Sequence, residues 1–339
     1  MKTLRKDKPL RPVPEHEYPT YPRRFISYRW FKPLLAGLLF AVLYLGSNVA
    51  IVLLGALNQG GLESVMKIAG SYDSMDVSSA PGILLNLGSL AVAIPLLALT
   101  ALIVRDRPFS SYSSARGGWD WDVFGRMMLL ALLVCGVPNL VWILLDHGPL
   151  NNQFTIATFL LLTVMGPLQC IAEEYMFRGL LMQTFGGWFR IPVIAVVLQA
   201  FIFMAMHPYN LTGKLTILAT GCMMGLMAWI SRGIEASSAI HIVNNMVAFY
   251  ADGLGLGAIG SEVSSLDLVV TLIIDAAYVA ALLLLRKKGF FDRIKRDDAA
   301  EFNAKVAPKY AKRNLKNYEL HWKPGVAGPE ADAEKKTEE

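Results

Sequence analysis

Residues 33–57 read PLLAGLLFAVLYLGSNVAIVLLGAL, a run that contains no charged side chain. A helix needs about 20 mostly apolar residues to cross the roughly 30 Å hydrocarbon layer of a membrane, and in that layer a helix satisfies its own backbone groups. The chain as a whole is 54% hydrophobic and 17% charged, whereas soluble domains carry about 25% charged residues. The sequence therefore predicts an all-helical, polytopic integral membrane protein and excludes disordered, collagen-like and disulfide-rich classes.

Seven further apolar segments follow the first, and four of the eight are more polar than the others. We expect about eight transmembrane helices that enclose an intramembrane polar cavity. The predicted spans are 33–57, 81–104, 123–145, 155–185, 191–207, 214–230, 236–251 and 266–285.

Basic residues collect outside the two terminal spans. Lys and Arg are frequent in residues 1–32 and again in residues 286–296, and basic residues favour the cytoplasmic side of a membrane. Both termini are therefore expected to be cytoplasmic, which requires an even number of spans. The predicted organisation is a basic cytoplasmic arm at 1–32, a membrane domain at 33–286 and a charged cytoplasmic tail at 287–339, solvated from residue 297. We interpret the basic arms as anchors against anionic lipid and expect no nucleic-acid partner.

The most polar predicted span contains the run AEEYMFRG at residues 172–179. Glu174 and Arg178 are four positions apart, so they share a helix face and are expected to form an ion pair. Glu173 lies about 100° around the helix, and Arg178 is not expected to neutralise both carboxylates. Desolvation penalises the charged form of an unpaired glutamate, which can make it a general base near neutral pH. An ion pair that only fixes two helices together is the alternative.

Two later segments place histidines on polar helix faces. Phe203 and His207 are four residues apart, so the ring of Phe203 is expected to pack against the imidazole. In the segment 236–251, His241 and Asn245 share a face, and Asn244 lies close to it. An interfacial histidine before a proline and an amide that links two helices are the structural alternatives. Together, a base, two imidazoles and an amide on neighbouring spans could close around one water molecule.

Glu-Glu-x-x-x-Arg, then Phe-x-x-x-His, then His-x-x-x-Asn, in this order on successive membrane segments, resembles the CPBP family. This family includes the type II CAAX prenyl endopeptidases and bacteriocin-processing enzymes. The resemblance covers about residues 155–250, a little under a third of the chain, and we take this region as the predicted protease core. Each motif alone is weakly specific, whereas the three in order are more so.

The resemblance implies that Glu173 activates a water held with His207, while His241 and Asn245 stabilise the oxyanion at the scissile carbonyl. The remaining motif residues would support the site: Glu174, Arg178 and Phe203. Metal participation stays open at this point. If a metal takes part, zinc held by His207, His241 and Glu173 is the candidate. No His-Glu-x-x-His run occurs in the chain, and we favour metal-free hydrolysis.

The expected function is that of an intramembrane endopeptidase, glutamate-type or metal-dependent, in a bacterial plasma membrane. Its partners would be the bilayer and a peptide or membrane-protein substrate, such as a prenylated C-terminus or a leader peptide. A non-catalytic scaffold or bacteriocin-immunity protein that uses the same polar cluster for binding is the main alternative. A transporter in which Glu and His side chains carry protons is a third.

One geometric obstacle follows from the predicted spans. Counted from a turn near Gly186, Glu173 lies about 20 Å deep and His207 about 30 Å deep at 1.5 Å per residue. Straight helices would keep them apart. Helix tilt, a kink near Pro167 or a turn that extends past Arg190 could bring them to one level.

Overall fold

The structure is a computed structural model that describes residues 17–58, 60–69, 76–146, 149–257 and 262–311. Within these ranges the chain is helical and has no β-strand, which confirms the predicted all-α class. Short helical turns occur at Tyr21–Arg24 and Ser110–Ser113. The longer helices are α1 (Lys32–Asn58), α2 (Leu62–Ala69), α3 (Ala80–Val104), α4 (Trp121–Leu145), α5 (Ile156–Phe189), α6 (Pro192–Ala205), α7 (Leu211–Ser231), α8 (Glu235–Gly253), α9 (Ser265–Lys287) and α10 (Asp298–Ala311).

Six helices of the described ranges are long and apolar enough to cross a membrane: α1, α3, α4, α5, α7 and α9. The expected number of eight spans is not confirmed. The predicted segments 191–207 and 236–251 do form helices, α6 and α8. However, the 14 residues of α6 reach only about 21 Å at 1.5 Å per residue. Helix α8 carries Glu235, His241 and two asparagines, so its composition is too polar for a helix that faces lipid.

Three of the long helices contain π-helical segments. These lie at Leu84–Gly88 in α3, Leu132–Gly136 in α4 and Tyr175–Met182 in α5. A π-helical insertion widens the turn and changes which face the following side chains occupy, and such insertions are frequent at functional sites. The segment in α5 begins directly after Glu174.

Helix α8 occupies the centre of the bundle. It packs against α4, α5 and α7, while α6 packs between α5 and α7, and α9 packs against α7. Helix α1 lies outside and packs mainly on α3; its leucine and valine side chains are exposed, for example Val42 at 69% and Leu57 at 82%. Polar α8 is therefore shielded by apolar helices, whose outer faces are suited to contact lipid.

The two terminal regions fold over one end of the bundle. The hydroxyl of Tyr18 donates a 2.5 Å hydrogen bond to the Tyr112 carbonyl oxygen, and Phe25 packs edge-on against Phe302 of α10 at 5.5 Å between ring centroids. Tyr18 and Phe25 are buried. The prediction of a solvated tail from residue 297 does not hold for one face of α10, where Phe302 packs on Phe25 and Asn303 forms hydrogen bonds with the backbone of Ile26 and Arg24. Residues 1–16 and 312–339 of the predicted arm and tail lie outside the described ranges.

Candidate active site

Helix α5 carries the first motif at the point where its α-helical part changes into the π-helical segment. The helix is anchored by Thr155, which forms a reciprocal capping box with Thr158 at its N-terminus. Further along, Arg178 Nη1 lies 2.8 Å from Glu174 Oε1, and both side chains are 0% exposed. The predicted Glu174–Arg178 pair is thus present and fully buried. Breaking such a pair costs stability, because the remaining charge would be uncompensated.

Arg178 is held by more than its carboxylate. Its Nη2 donates to the Gly221 carbonyl oxygen of α7 at 3.3 Å, and its guanidinium lies over the Phe203 ring at 4.9 Å. Gln199 of α6 donates to the same carbonyl oxygen at 2.8 Å. A Cβ at Gly221 would lie 3.1 Å from the Cβ of Ala200, so the missing side chain allows α6 and α7 to approach closely. This packing brings the backbone carbonyl within reach of both donors.

His241 of α8 lies between the two neighbouring carboxylates of α5. Its Nδ1 is 3.0 Å from Glu174 Oε1, and its Nε2 is 3.4 Å from Glu173 Oε2. Since Glu174 is paired with Arg178, its ionised carboxylate accepts, and the Nδ1–H of His241 donates. The His241 side chain is 5% exposed and that of Glu173 is 11% exposed. Glu173 is therefore the more accessible carboxylate, separate from the guanidinium as the sequence predicted.

The Phe203 ring connects the two histidines. Its centroid lies 4.6 Å from that of His207 and 6.5 Å from that of His241, in edge-on arrangements. The predicted packing of Phe203 against His207 is thus present. Nδ1 of His207 lies 2.7 Å from the Phe203 carbonyl oxygen, and the imidazole stacks on Tyr209 at 5.9 Å. These contacts fix the ring of a half-buried residue just beyond the end of α6.

Asn245 reaches α5 one helical turn away from the His241 contacts. Its Nδ2 donates to Oε1 of Gln169 at 3.5 Å, which is a long hydrogen bond. The adjacent Asn244 donates to Asn245 Oδ1 at 3.2 Å. Gln169 precedes Glu173 by four residues, which is about one helical turn. Helices α5 and α8 therefore contact each other through two polar pairs on successive turns, Glu173 with His241 and Gln169 with Asn245.

The turn between α5 and α6 lies later in the chain than the sequence predicted. Helix α5 continues to Phe189, and Arg190 has the left-handed backbone conformation that ends it, with φ of 58°. Glu173 therefore lies 16 positions before the last residue of α5, Phe189, and His207 lies 15 positions after the first residue of α6, Pro192. The later turn makes the stretches of chain from Glu173 to the turn and from the turn to His207 nearly equal in length.

The side chains proposed as zinc ligands do not gather into a ligand set. Within the described ranges, no group of three or more His, Cys, Asp or Glu residues could hold a metal ion. Nδ1 of His241 is held by Glu174, which leaves Nε2 as the ring nitrogen next to Glu173, and His207 packs on the Phe203 ring. The side chains of the described ranges therefore do not form a zinc site of three protein ligands.

Sequence reasoning missed the residues that complete the site: Gln169, Gln199 and Gly221. A signal for the two glutamines was present. Each lies four residues before a motif residue, Gln169 before Glu173 and Gln199 before Phe203, in an otherwise apolar segment where a buried amide is costly unless it is bonded. Gly221 gave no comparable signal, because its role depends on where α6 crosses α7.

Residues 153–247 match the family described as type II CAAX prenyl endopeptidase Rce1-like. Neither the curated proteins nor the solved structures gave a match. The matched segment spans all three motifs, from the two glutamates of α5 to Asn245 of α8. The resemblance predicted from the motifs is thereby confirmed, and over residues 153–247 the chain carries an Rce1-like domain of the CPBP family.

Proposed function

We propose that the protein is an intramembrane endopeptidase that hydrolyses a peptide bond in a membrane-associated peptide. The observation that carries this proposal is the position of His241, which contacts both Glu173 and Glu174 inside a bundle of apolar helices. An Rce1-like domain supports a protease of the CAAX type. The contacts support the more specific roles proposed below.

The charges of the cluster balance when one proton is shared. Arg178 and Glu174 neutralise each other. Glu173 and His241, 3.4 Å apart, form a second neutral unit if they hold one proton between them, either as carboxylate and imidazolium or as carboxylic acid and imidazole. A neutral cluster is the form that a low-dielectric interior tolerates best. A proton that can reside on either partner is suited to general acid–base catalysis.

In the proposed reaction, the Glu173 carboxylate takes a proton from water while the water oxygen attacks the scissile carbonyl carbon. His207, which packs edge-on against the Phe203 ring, is proposed to help hold that water. The carbonyl oxygen becomes an oxyanion, which the Nε2–H of His241 and the Nδ2–H of Asn245 stabilise. When the tetrahedral intermediate collapses, the C–N bond breaks, and Glu173 returns its proton to the leaving amine.

Buried donors at a developing oxyanion contribute strongly to such a reaction, and loss of one donor typically costs about 10²- to 10³-fold in rate. Glu174 and Arg178 act as positioning residues in this scheme, because they hold Nδ1 of His241 and thereby direct Nε2 towards Glu173. A carboxylate partner of this kind fixes the tautomer and orientation of an imidazole.

We further propose that the substrate is a prenylated C-terminus, a leader peptide or another peptide held at the membrane, and that the protein resides in a bacterial plasma membrane with both termini cytoplasmic. The share of basic residues at the two ends supports this orientation.

The test compares peptides in membranes that contain wild-type protein, Glu173→Gln or His207→Ala, using mass spectrometry. Glu63→Gln is the matched control, because Glu63 is exposed and its described ion pair is with Lys67 on the same helix. We expect the same cleavage products with wild type and Glu63→Gln, and their loss with both site variants at equal protein levels. If all four membranes give the same products, the protease proposal fails and a non-catalytic scaffold or immunity role is favoured.

A further inference from the structure

A cavity of about 200 Å³ lies at one end of the bundle, away from the candidate active site. It is bounded by the start of α4 and by the turn that follows α9. Its lining includes three arginines, two aspartates and one aromatic ring: Arg116, Arg126, Arg293, Asp120, Asp122 and Phe290. The volume is below the roughly 300–1,000 Å³ of pockets that hold drug-sized ligands, so it suits a small polar group.

Arg116 provides a fixed guanidinium in this cavity. The residue is 1% exposed, and its Nη2 lies 2.8 Å from Oε1 of the fully buried Glu235. Its carbonyl oxygen accepts hydrogen bonds from the backbone nitrogens of Lys295 at 2.8 Å and Arg296 at 3.2 Å. Nη1 of Arg116 is buried and has no hydrogen-bond partner in the described part of the chain. The guanidinium is thus rigidly placed at the wall of the cavity and keeps one N–H group without a described acceptor.

The two aspartates of the lining are already engaged. Oδ1 of Asp120 accepts from the backbone nitrogens of Asp122 at 3.1 Å and Val123 at 3.4 Å, which caps the N-terminus of α4. Asp122 pairs with Arg126 at 3.1 Å, but these side chains are 54% and 63% exposed, so water and salt screen the pair. Arg293 forms no ion pair with any residue that the structure describes. The carboxylates of the lining are thus held by the protein itself, and Arg293 is the lining guanidinium without a described ion pair.

The position of the cavity along the bundle points to the membrane surface. Helices α4 and α9 both meet the length and hydropathy of a membrane span, and the cavity lies where α4 begins and α9 ends. Trp121 at this level is 71% exposed, and tryptophans are enriched where helices cross the headgroup region. The Arg126 guanidinium lies over the Phe290 ring at 5.7 Å, which adds an apolar wall beside the cationic groups.

We propose that this cavity binds a phosphate group, and that its source is the headgroup of an anionic membrane lipid. Arginine guanidinium groups bind phosphate oxygens through paired N–H donors. Basic pockets between membrane helices recognise lipid headgroups in the same way. Phe290 would contact the apolar part of the lipid next to the phosphate. The proposal is independent of the proposed peptidase activity.

The test measures binding of dioleoyl phosphatidylglycerol to the purified full chain in a nonionic detergent by native mass spectrometry. Arg116 is left intact, because its buried pair with Glu235 makes a folding defect the expected outcome of its replacement. The test variant is Arg126→Gln/Arg293→Gln. The control, Lys287→Gln/Lys288→Gln, removes the same charge from exposed residues at the end of α9. Dioleoyl phosphatidylcholine and inorganic phosphate are measured in parallel.

We expect one phosphatidylglycerol molecule to bind tightly to the wild type and to the control. The affinity of the test variant should be about thirtyfold lower, from the loss of two basic side chains near the headgroup. If inorganic phosphate binds to the wild type and more weakly to the test variant, while phosphatidylglycerol binds to neither, the cavity binds phosphate but its ligand is soluble and is not a lipid. Equal binding to wild type and test variant, or an equal loss in the control, would overturn the proposal.

Discussion

Replacement of Arg178 by methionine tests whether the buried charges of the site stabilise the fold as their geometry indicates. The Glu174–Arg178 pair is 2.8 Å apart with both side chains 0% exposed. Removal of one partner of such a pair typically costs about 3–5 kcal/mol. Two features reduce the cost here: Glu174 keeps the Nδ1–H donor of His241, and the Gly221 carbonyl oxygen keeps the Gln199 donor. We therefore expect a loss near the lower limit, about 3 kcal/mol.

The chain contains a matched control with the same spacing and a different environment. Arg126 and Asp122 are also four residues apart and 3.1 Å from each other, but their side chains are 63% and 54% exposed. Arg126→Met should cost only about 0–1 kcal/mol. Reversible unfolding in mixed micelles with increasing SDS gives the free energy of unfolding of each variant. A cost for Arg178→Met no larger than that for Arg126→Met would refute the reasoning. The double variant Glu174→Gln/Arg178→Met should be more stable than Arg178→Met, because no buried carboxylate is left without compensation.

Three further predictions concern the fold, the chemistry and the position of the imidazoles. A Cβ at Gly186 would lie 1.9 Å from a backbone carbonyl oxygen of the N-terminal segment. Gly186→Ala should therefore displace that segment and increase proteolytic cleavage within residues 17–31. Gly37→Ala should leave this cleavage unchanged, because a Cβ at Gly37 would have no atom within 4 Å. Cleavage of the peptide substrate should persist after dialysis against a chelator, because the described His, Cys, Asp and Glu side chains form no group of three that could hold a metal ion. Activity that is lost on dialysis and recovers only with added zinc would contradict this. Phe203→Leu should reduce the cleavage rate by about 10²-fold through misplacement of His207, whereas an unchanged rate would show that the ring does not position the imidazole.

Local features of the chain could be predicted because they depend on few residues. Long apolar runs predicted the approximate positions of α1, α3, α4 and α9. Spacing of four residues predicted two contacts that the structure contains, Glu174 with Arg178 and Phe203 with His207. Both follow from helix geometry alone. The same reasoning separated Glu173 from the guanidinium, since about 100° of helix rotation divides it from Glu174.

Contacts between helices could not be derived in this way. His241 lies 67 positions from Glu174, and its place between two carboxylates depends on how α8 packs against α5. The shared carbonyl of Gly221 depends on the crossing of α6 and α7. The contact between α10 and the N-terminal segment was not predicted, because residues 297–339 are rich in charged side chains. Composition alone does not reveal that Phe302 packs against Phe25. The end of α5 was also placed too early, because Gly186 and its neighbour suggested a turn that in the structure occurs at Arg190.

The central claim is that the carboxylate of Glu173 is the general base for peptide hydrolysis. The most direct measurement is the cleavage rate of the identified peptide by purified protein in proteoliposomes, for wild type, Glu173→Gln and the exposed control Glu63→Gln. Loss of a general base typically costs about 10²- to 10⁴-fold, so we expect a decrease of that size in kcat for Glu173→Gln and an unchanged rate for Glu63→Gln. A Glu173→Gln variant that cleaves the peptide at the wild-type rate would contradict the proposed chemistry.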